Sequence, residues 1–183
     1  MKVILFGGGR GVGKAIKKEL EDCLHEVTSI SRTEGTWTTE PPEGEFDVFI
    51  YCTGVGYFYE LTNEQVQDMI MLNFVIPIAM GRTVKAKHYI FIASNSAYSG
   101  FEGSDVYCAT KHGILGFARA LRKSGKKVSV ISPGAIDTGF WDGSGRPLPE
   151  LHMQPEDVAD AVMACIENRA CIEELLIMPQ REF

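Results

Sequence analysis

Three features of the 183-residue sequence predict an α/β fold, a doubly wound parallel sheet with helices on both faces. A short apolar run, Lys2-Val3-Ile4-Leu5-Phe6, passes directly into a glycine-rich stretch, Gly7-Gly8-Gly9-Arg10-Gly11-Val12-Gly13. Beyond it, Val12, Ile16 and Leu20 recur every four residues, which is a helical stripe. Strand-like and helix-like segments then alternate along the rest of the chain, the pattern that stacks helices on a parallel sheet.

The elements follow in order. Lys2–Phe6 is the first strand and Val12–Cys23 the first helix, with a second strand at Glu26–Ser31. Asp47–Cys52 is apolar enough for a buried strand. A helix over Asn63–Met80 opens with Thr62 and Gln65 in the arrangement of a capping box. A strand ends at Ala93, a helix covers Asp105–Lys123, and Lys127–Ser132 is strand again. Pro155 suits the first position of a helix to Asn168, and Leu175–Met178 closes the sheet. Only fifteen residues, Arg32 to Phe46, separate the second strand from Asp47–Cys52, and they include Pro41-Pro42. That space holds a short edge strand at Thr36–Thr39 and no helix, so the fold is shortened around its third strand.

Composition fits one domain over residues 1–183, with 45% hydrophobic and 23% charged residues. A net charge of −6 argues against nucleic-acid binding, which needs a basic surface. No apolar stretch approaches the roughly 20 residues of a membrane span, and the chain starts within its first strand, so no secretory leader is expected. The five cysteines and four histidines lack metal-ligand spacing, so neither a metal site nor a disulfide framework is expected, in keeping with a cytoplasmic location.

The chemistry is concentrated in Ser94, Tyr107 and Lys111. Tyr107 and Lys111 are four apart, hence one turn apart on the same helix face. Ser94 stands thirteen residues before the tyrosine, at the end of the strand-like His88-Tyr89-Ile90-Phe91-Ile92. A free phenol has a pKa of about 10. An ammonium about 4 Å away, at an effective dielectric of about 20, interacts by roughly 4 kcal/mol, up to about 3 pKa units before desolvation is counted. The serine hydroxyl can hold a carbonyl or alcohol oxygen beside that phenol. The glycine turn adds a second function, since backbone without side chains can approach a pyrophosphate at a helix N-terminus. About 20 residues past the third glycine, where an acid would bind the ribose of NAD, stands Arg32, flanked by Ser31 and Thr33. Together with Arg10 it suits the 2′-phosphate of NADP. Glu34 argues weakly for a ribose instead.

Taken together, these motifs resemble the short-chain dehydrogenase/reductase family over nearly the whole chain. The resemblance rests on Gly7, Gly11 and Gly13, on Ser94, Tyr107 and Lys111, on Asn73, and on Ser132-Pro133-Gly134-Ala135-Ile136-Asp137-Thr138. It implies a Rossmann-type fold and a nicotinamide cofactor, NADP(H) in preference to NAD(H). The cofactor would be held by Gly7, Gly9, Arg10, Gly11, Val12 and Gly13, by Ser31 and Arg32, and by Thr53 and Gly54. Tyr107, Lys111, Pro133, Gly134, Ile136 and Thr138 would complete its site. It also implies that Lys111 lowers the tyrosine pKa and that Asn73 keeps a water path for protons. Where the family has Asn-Asn-Ala-Gly, this chain has Tyr51-Cys52-Thr53-Gly54. Hydride transfer between the cofactor and a small carbonyl or alcohol is the expected activity, and an NADP(H)-binding sensor or scaffold with little turnover is the alternative. Sugar-nucleotide enzymes with the same residues need a larger substrate domain. The helices at 63–80 and 105–123 are apolar over more than one face, so a homo-oligomer is expected through them. Gly139–Met153, with Phe140 and Trp141 among glycines and prolines, reads as a lid over the substrate.

Overall fold

The computed structural model describes residues 1–36 and 38–180. Six strands run parallel: β1 (Lys2–Phe6), β2 (Glu26–Ile30), β3 (Glu45–Tyr51), β4 (Lys85–Ile92), β5 (Lys127–Pro133) and β6 (Glu174–Ile177). Their spatial order is β2-β1-β3-β4-β5-β6. In-register pairs such as Val3↔Val27, Val3↔Val48 and Phe91↔Val130 fix the alignment. Because β2 lies on one side of β1 and every later strand on the other, the direction of winding reverses between β1 and β3. Ligands of open α/β sheets bind at such a reversal, beyond the carboxyl ends of the strands.

Side chains alternate across the sheet, so each strand feeds two cores. On one face Val3, Leu5, Ile50, Ile90 and Ile131 pack with Ile16 and Leu20 of α1 (Gly11–Asp22). Val158 and Val162 of the later helix Pro155–Glu167 complete that layer. On the other face Ile4, Phe6, Phe49, Phe91 and Val130 pack against three helical pieces. These are a π-helical turn at Met71–Val75, which continues α2 (Asn63–Ile70), then α3 (Ile76–Thr83), and α4 (Asp105–Lys123). The Pro155–Glu167 helix is α5. The expected capping box is present at α2: Gln65 N donates to Thr62 Oγ1 at 3.2 Å, and Thr62 N donates to Gln65 Oε1 at 2.9 Å. Arg119 of α4 grips Glu174 with two hydrogen bonds, 2.7 and 2.8 Å, tying α4 to β6.

One expected element is replaced. Thr36, Thr38 and Thr39 are not strand, and Trp37 lies outside the described residues. Thr36 instead folds back on the end of β2. Its N–H donates to Ser31 O at 3.0 Å, and its hydroxyl donates to Ser29 O at 3.0 Å and accepts from Ser31 N at 2.8 Å. A β-branched threonine run has strand propensity, but here the backbone partners it needs are met by a turn.

A buried histidine makes stability depend on pH. His88 in β4 is buried against Ser129, with Nε2 2.8 Å from Oγ. Burial, reinforced by Lys127, lowers its pKa from 6.5 to about 4. Between those values the unfolded chain binds a proton that the folded chain refuses, so stability falls as pH drops through this window. Glu174 acts lower down: Arg119 holds it near 2, and its contribution is lost only as pH falls from 4.5 toward that value. The thermal midpoint should therefore drop between pH 7 and pH 4.5, and His88→Gln should flatten that slope.

Candidate active site

Ser94 follows β4 and caps the short 3-10 turn Asn95–Ala97, its Oγ accepting from Ser96 N at 3.1 Å. The start of α4 brings Tyr107 and Lys111 to the same place, and all three are buried. Lys111 Nζ lies 5.6 Å from the centre of the Tyr107 ring and donates to Ile92 O at 3.3 Å. Burial pushes the Tyr107 phenol up to about 12, against the Ser94 hydroxyl, whose hydrogen bond lowers it. Burial also pulls Lys111 down to about 8. Spacing alone leads to the opposite expectation for Tyr107, a phenol lowered by its lysine. The desolvation that charge arithmetic omits is the larger effect here.

Two cavities of about 570 and 630 Å³ meet at Val12, Cys52, Gly54, Thr138 and Phe140. The first holds Ser94, Tyr107 and Lys111, together with Pro133, Gly134 and Ile136. The second is lined by Gly7, Gly9, Arg10, Gly11 and Gly13 from the glycine turn, by Ser31 and Arg32 after β2, and by Thr53. Of the site residues expected from sequence, only Asn73 borders neither. Its carboxamide is bonded behind the wall: Oδ1 accepts from Val55 N at 2.9 Å, and Nδ2 donates to Val55 O at 2.8 Å. A π-helical turn places it there, a device common where a helix must aim one side chain. A Cβ on Gly54 would come 3.0 Å from Asn73 Oδ1 and 3.5 Å from Lys111 Nζ, so Asn73 and Lys111 flank one glycine.

The second cavity has the chemistry of an anion cradle. A side chain on Gly13 would run into the Gly7 carbonyl, and Gly7, at φ 101°, has Thr53 N only 2.9 Å from where a Cβ would stand. Arg10 caps α1 with no side-chain bond to it. Among the described residues neither Arg10 nor Arg32 has an ion-pair partner. Glu34 does not compete with them, because it is taken by Lys17 at 2.6 Å and Ser29 at 2.5 Å. The buried Thr53 Oγ1 has no hydrogen-bond partner within the described residues. A buried hydroxyl left so costs about 1–3 kcal/mol, a cost that a polar ligand in this cavity would remove. Glycine cradle, unmatched hydroxyl and two free guanidiniums together fit a phosphorylated dinucleotide.

Sequence reasoning missed Phe58, Tyr59 and Arg146 in the first cavity. They stand on loops whose only signal is spatial. Phe140 and Trp141, expected in a lid, pack inward: the Phe58 ring lies 5.5 Å from Tyr107, 6.4 Å from Phe140 and 6.4 Å from Trp141. Trp141 Nε1 also donates to Ile136 O at 2.8 Å.

Known proteins share this fold. Sepiapterin reductase of Chlorobaculum tepidum is 28% identical over 152 residues, 74% of this chain; the chain spans only 62% of that relative's length. An uncharacterized oxidoreductase of Staphylococcus aureus strain MW2 is 28% identical, with 96% of both chains covered. The crystal structure of BdcA in complex with NADPH superposes with a TM-score of 0.82 at 22% identity, over 97% of this chain and 92% of that one. The model of the short chain dehydrogenase family matches residues 38–147, well over half of the sequence. With the parallel sheet, its winding reversal and the glycine turn in place, the chain belongs to the short-chain dehydrogenase/reductase family of oxidoreductases.

Proposed function

We propose that the protein is an NADP(H)-dependent oxidoreductase that moves a hydride between the nicotinamide and a small carbonyl or alcohol. The observation that carries this reading is the meeting of Ser94, Tyr107 and Lys111 in one cavity that opens into the glycine-lined one. When bound, the cofactor supplies or accepts the hydride. Tyr107 gives its phenolic proton to the substrate oxygen, and Ser94 donates a hydrogen bond to the same oxygen. Lys111, charged at neutral pH with its pKa near 8, favours the phenolate that forms. Phe58, Phe140 and Trp141 keep water from that proton. Thr138 borders both cavities and is suited to hold the carboxamide. NADPH oxidation measured across small aldehydes and ketones tests the activity.

Arg10 and Arg32 support a preference for the phosphorylated cofactor, as does the NADPH bound by BdcA. NADPH should bind more tightly than NADH, and Arg32→Asp should abolish or reverse the difference. Equal affinities by fluorescence titration would contradict it. Self-association is supported by Ile70, Met71 and Val75, exposed along α2 and its π-helical turn. A cytoplasmic setting suits the five free thiols.

A second reading, a cofactor-binding sensor or scaffold with little turnover, has its own support. The Tyr107 phenol stands at about 12, and Cys52 and Thr53 occupy the place of the family's asparagine and alanine. NADPH binding without oxidation by any carbonyl would favour it.

A further inference from the structure

The chain carries 24 acidic residues, yet among the described residues none lines either cavity. In the first cavity the charged lining residues are Lys111 and Arg146. Lys111 belongs to the proton-transfer group; Arg146 has no part in it. Its guanidinium lies 5.3 Å from the centre of the Phe58 ring and 5.2 Å from that of Tyr59. Phe58 in turn packs edge-on against Tyr107, so a single ring separates the guanidinium from the phenol.

The position is built. Ser144, buried, donates through Oγ to Arg146 O at 3.0 Å and accepts from Arg146 N at 3.1 Å. The same loop is joined to the other wall, since Phe58 N donates to Ser144 O at 2.9 Å. Gly145, at φ 87°, lies against Phe58 O, where a Cβ would stand 2.9 Å away. Tyr59 is held at φ 67°, a left-handed conformation that is unfavourable for a tyrosine, and its N–H donates to Gly103 O at 2.7 Å. Strain of this kind gathers at ligand sites. Arg146 Nε donates to Tyr59 Oη at 3.3 Å. Among the described residues the two terminal nitrogens have no partner and no ion pair reaches the guanidinium.

An arginine braced through Nε, with its terminal nitrogens free, presents the two-pronged fork that matches a carboxylate. We propose that Arg146 is the specificity-determining residue of this cavity and selects a carbonyl substrate carrying a carboxylate beyond an apolar or planar body, at the end remote from the reacting carbonyl. Phe58, Phe140 and Trp141 receive that body, while Ser94 and Tyr107 receive the carbonyl. One fork suits a carboxylate better than a phosphate dianion, for which the other cavity provides two arginines. A cavity whose charged lining, among the described residues, is all positive also draws an anion inward against the overall repulsion of a protein of net charge −6. The proposal rests on the first cavity being the substrate site.

The test uses 4-formylbenzoate and 3-(4-formylphenyl)propanoate, each beside its methyl ester, with saturating NADPH. The wild type should prefer the better-fitting acid over its ester by at least about tenfold in kcat/KM, the scale of one hydrogen-bonded charge. That ratio should fall to about one in Arg146→Met, which keeps a stem over the rings, and be intermediate in Arg146→Lys, which keeps the charge but not the fork. Equal use of acid and ester by the wild type, or a preference untouched in Arg146→Met, overturns the proposal. If no carbonyl is turned over, the reading of the activity fails separately, and calorimetry decides the present point. Binding of 4-phenylbutanoate over 4-phenylbutanamide that disappears in Arg146→Met upholds it, and equal binding of the two overturns it.

Discussion

Tyr107→Phe should lower reductive turnover by about 10²- to 10⁴-fold, the usual worth of a positioned general acid. The substitution removes one oxygen from a buried ring that packs 5.5 Å from Phe58 and 5.9 Å from Phe140, so the walls of the cavity stay as they are. The affinity for NADPH should change far less than kcat, and that split separates lost chemistry from lost structure. The pH profile gives a second check. With its pKa near 12 the phenol remains an acid across the neutral range. The charge that weakens first is that of Lys111, near 8. Reductive kcat/KM should therefore decline as pH rises through about 8. Stopped-flow NADPH oxidation from pH 6 to 10 measures both effects, and wild-type rates in Tyr107→Phe would remove the tyrosine from the mechanism.

Gly13→Ala should have the largest effect on binding. The added Cβ overlaps the Gly7 carbonyl oxygen, comes 2.7 Å from its carbon and 3.3 Å from the Gly8 Cα. These are backbone atoms, which cannot rotate away, so either α1 lifts from the sheet or the turn after β1 distorts. Overpacking of this kind costs about 1–3 kcal/mol. It falls where Gly7 N donates to Ile30 O and Cys52 N to Phe6 O, at the reversal of winding. NADPH binding by fluorescence should be lost or weakened more than tenfold, with a lower thermal midpoint in the free protein. Normal affinity in a normally stable variant would show that the helix does not need so close an approach.

Much of this architecture could be read in the residues, for physical reasons. The β1 run is apolar from Val3 to Phe6 because both of its faces are covered there, and α4 matches its expected bounds because its stripe and flanking polar residues are clear. Gly7, Gly13, Ser94, Tyr107 and Lys111 reach their cavities because local geometry, a turn or one helix face, suffices to place them. Other features depend on information that periodicity lacks. The π-helical turn at Met71–Val75 shifts a register by a single residue, too little to disturb an apolar pattern, yet it decides where Asn73 points. Thr36–Thr39 has strand composition, but a strand requires a neighbour, and Thr36 meets that neighbour's edge through a turn. Arg146 and Tyr59 meet across 87 positions, with no spacing to connect them. The direction of the Tyr107 shift depends on how completely the phenol is buried, which is a property of the packed fold.

The folding back of Thr36 onto β2 has a consequence for self-adhesion rather than for catalysis. A sheet that loses an outer strand bares a new row of backbone donors and acceptors, an invitation to strand addition from another chain. Here β2 inherits that exposed border, and it is only five residues long. Thr36 takes up Ser31 N, Ser31 O and Ser29 O at its far end, while Glu26 at its near end is exposed and charged. Truncation of the fold and insulation of its border are thus accomplished by the same few residues, so a shortened connection need not leave the protein prone to aggregate.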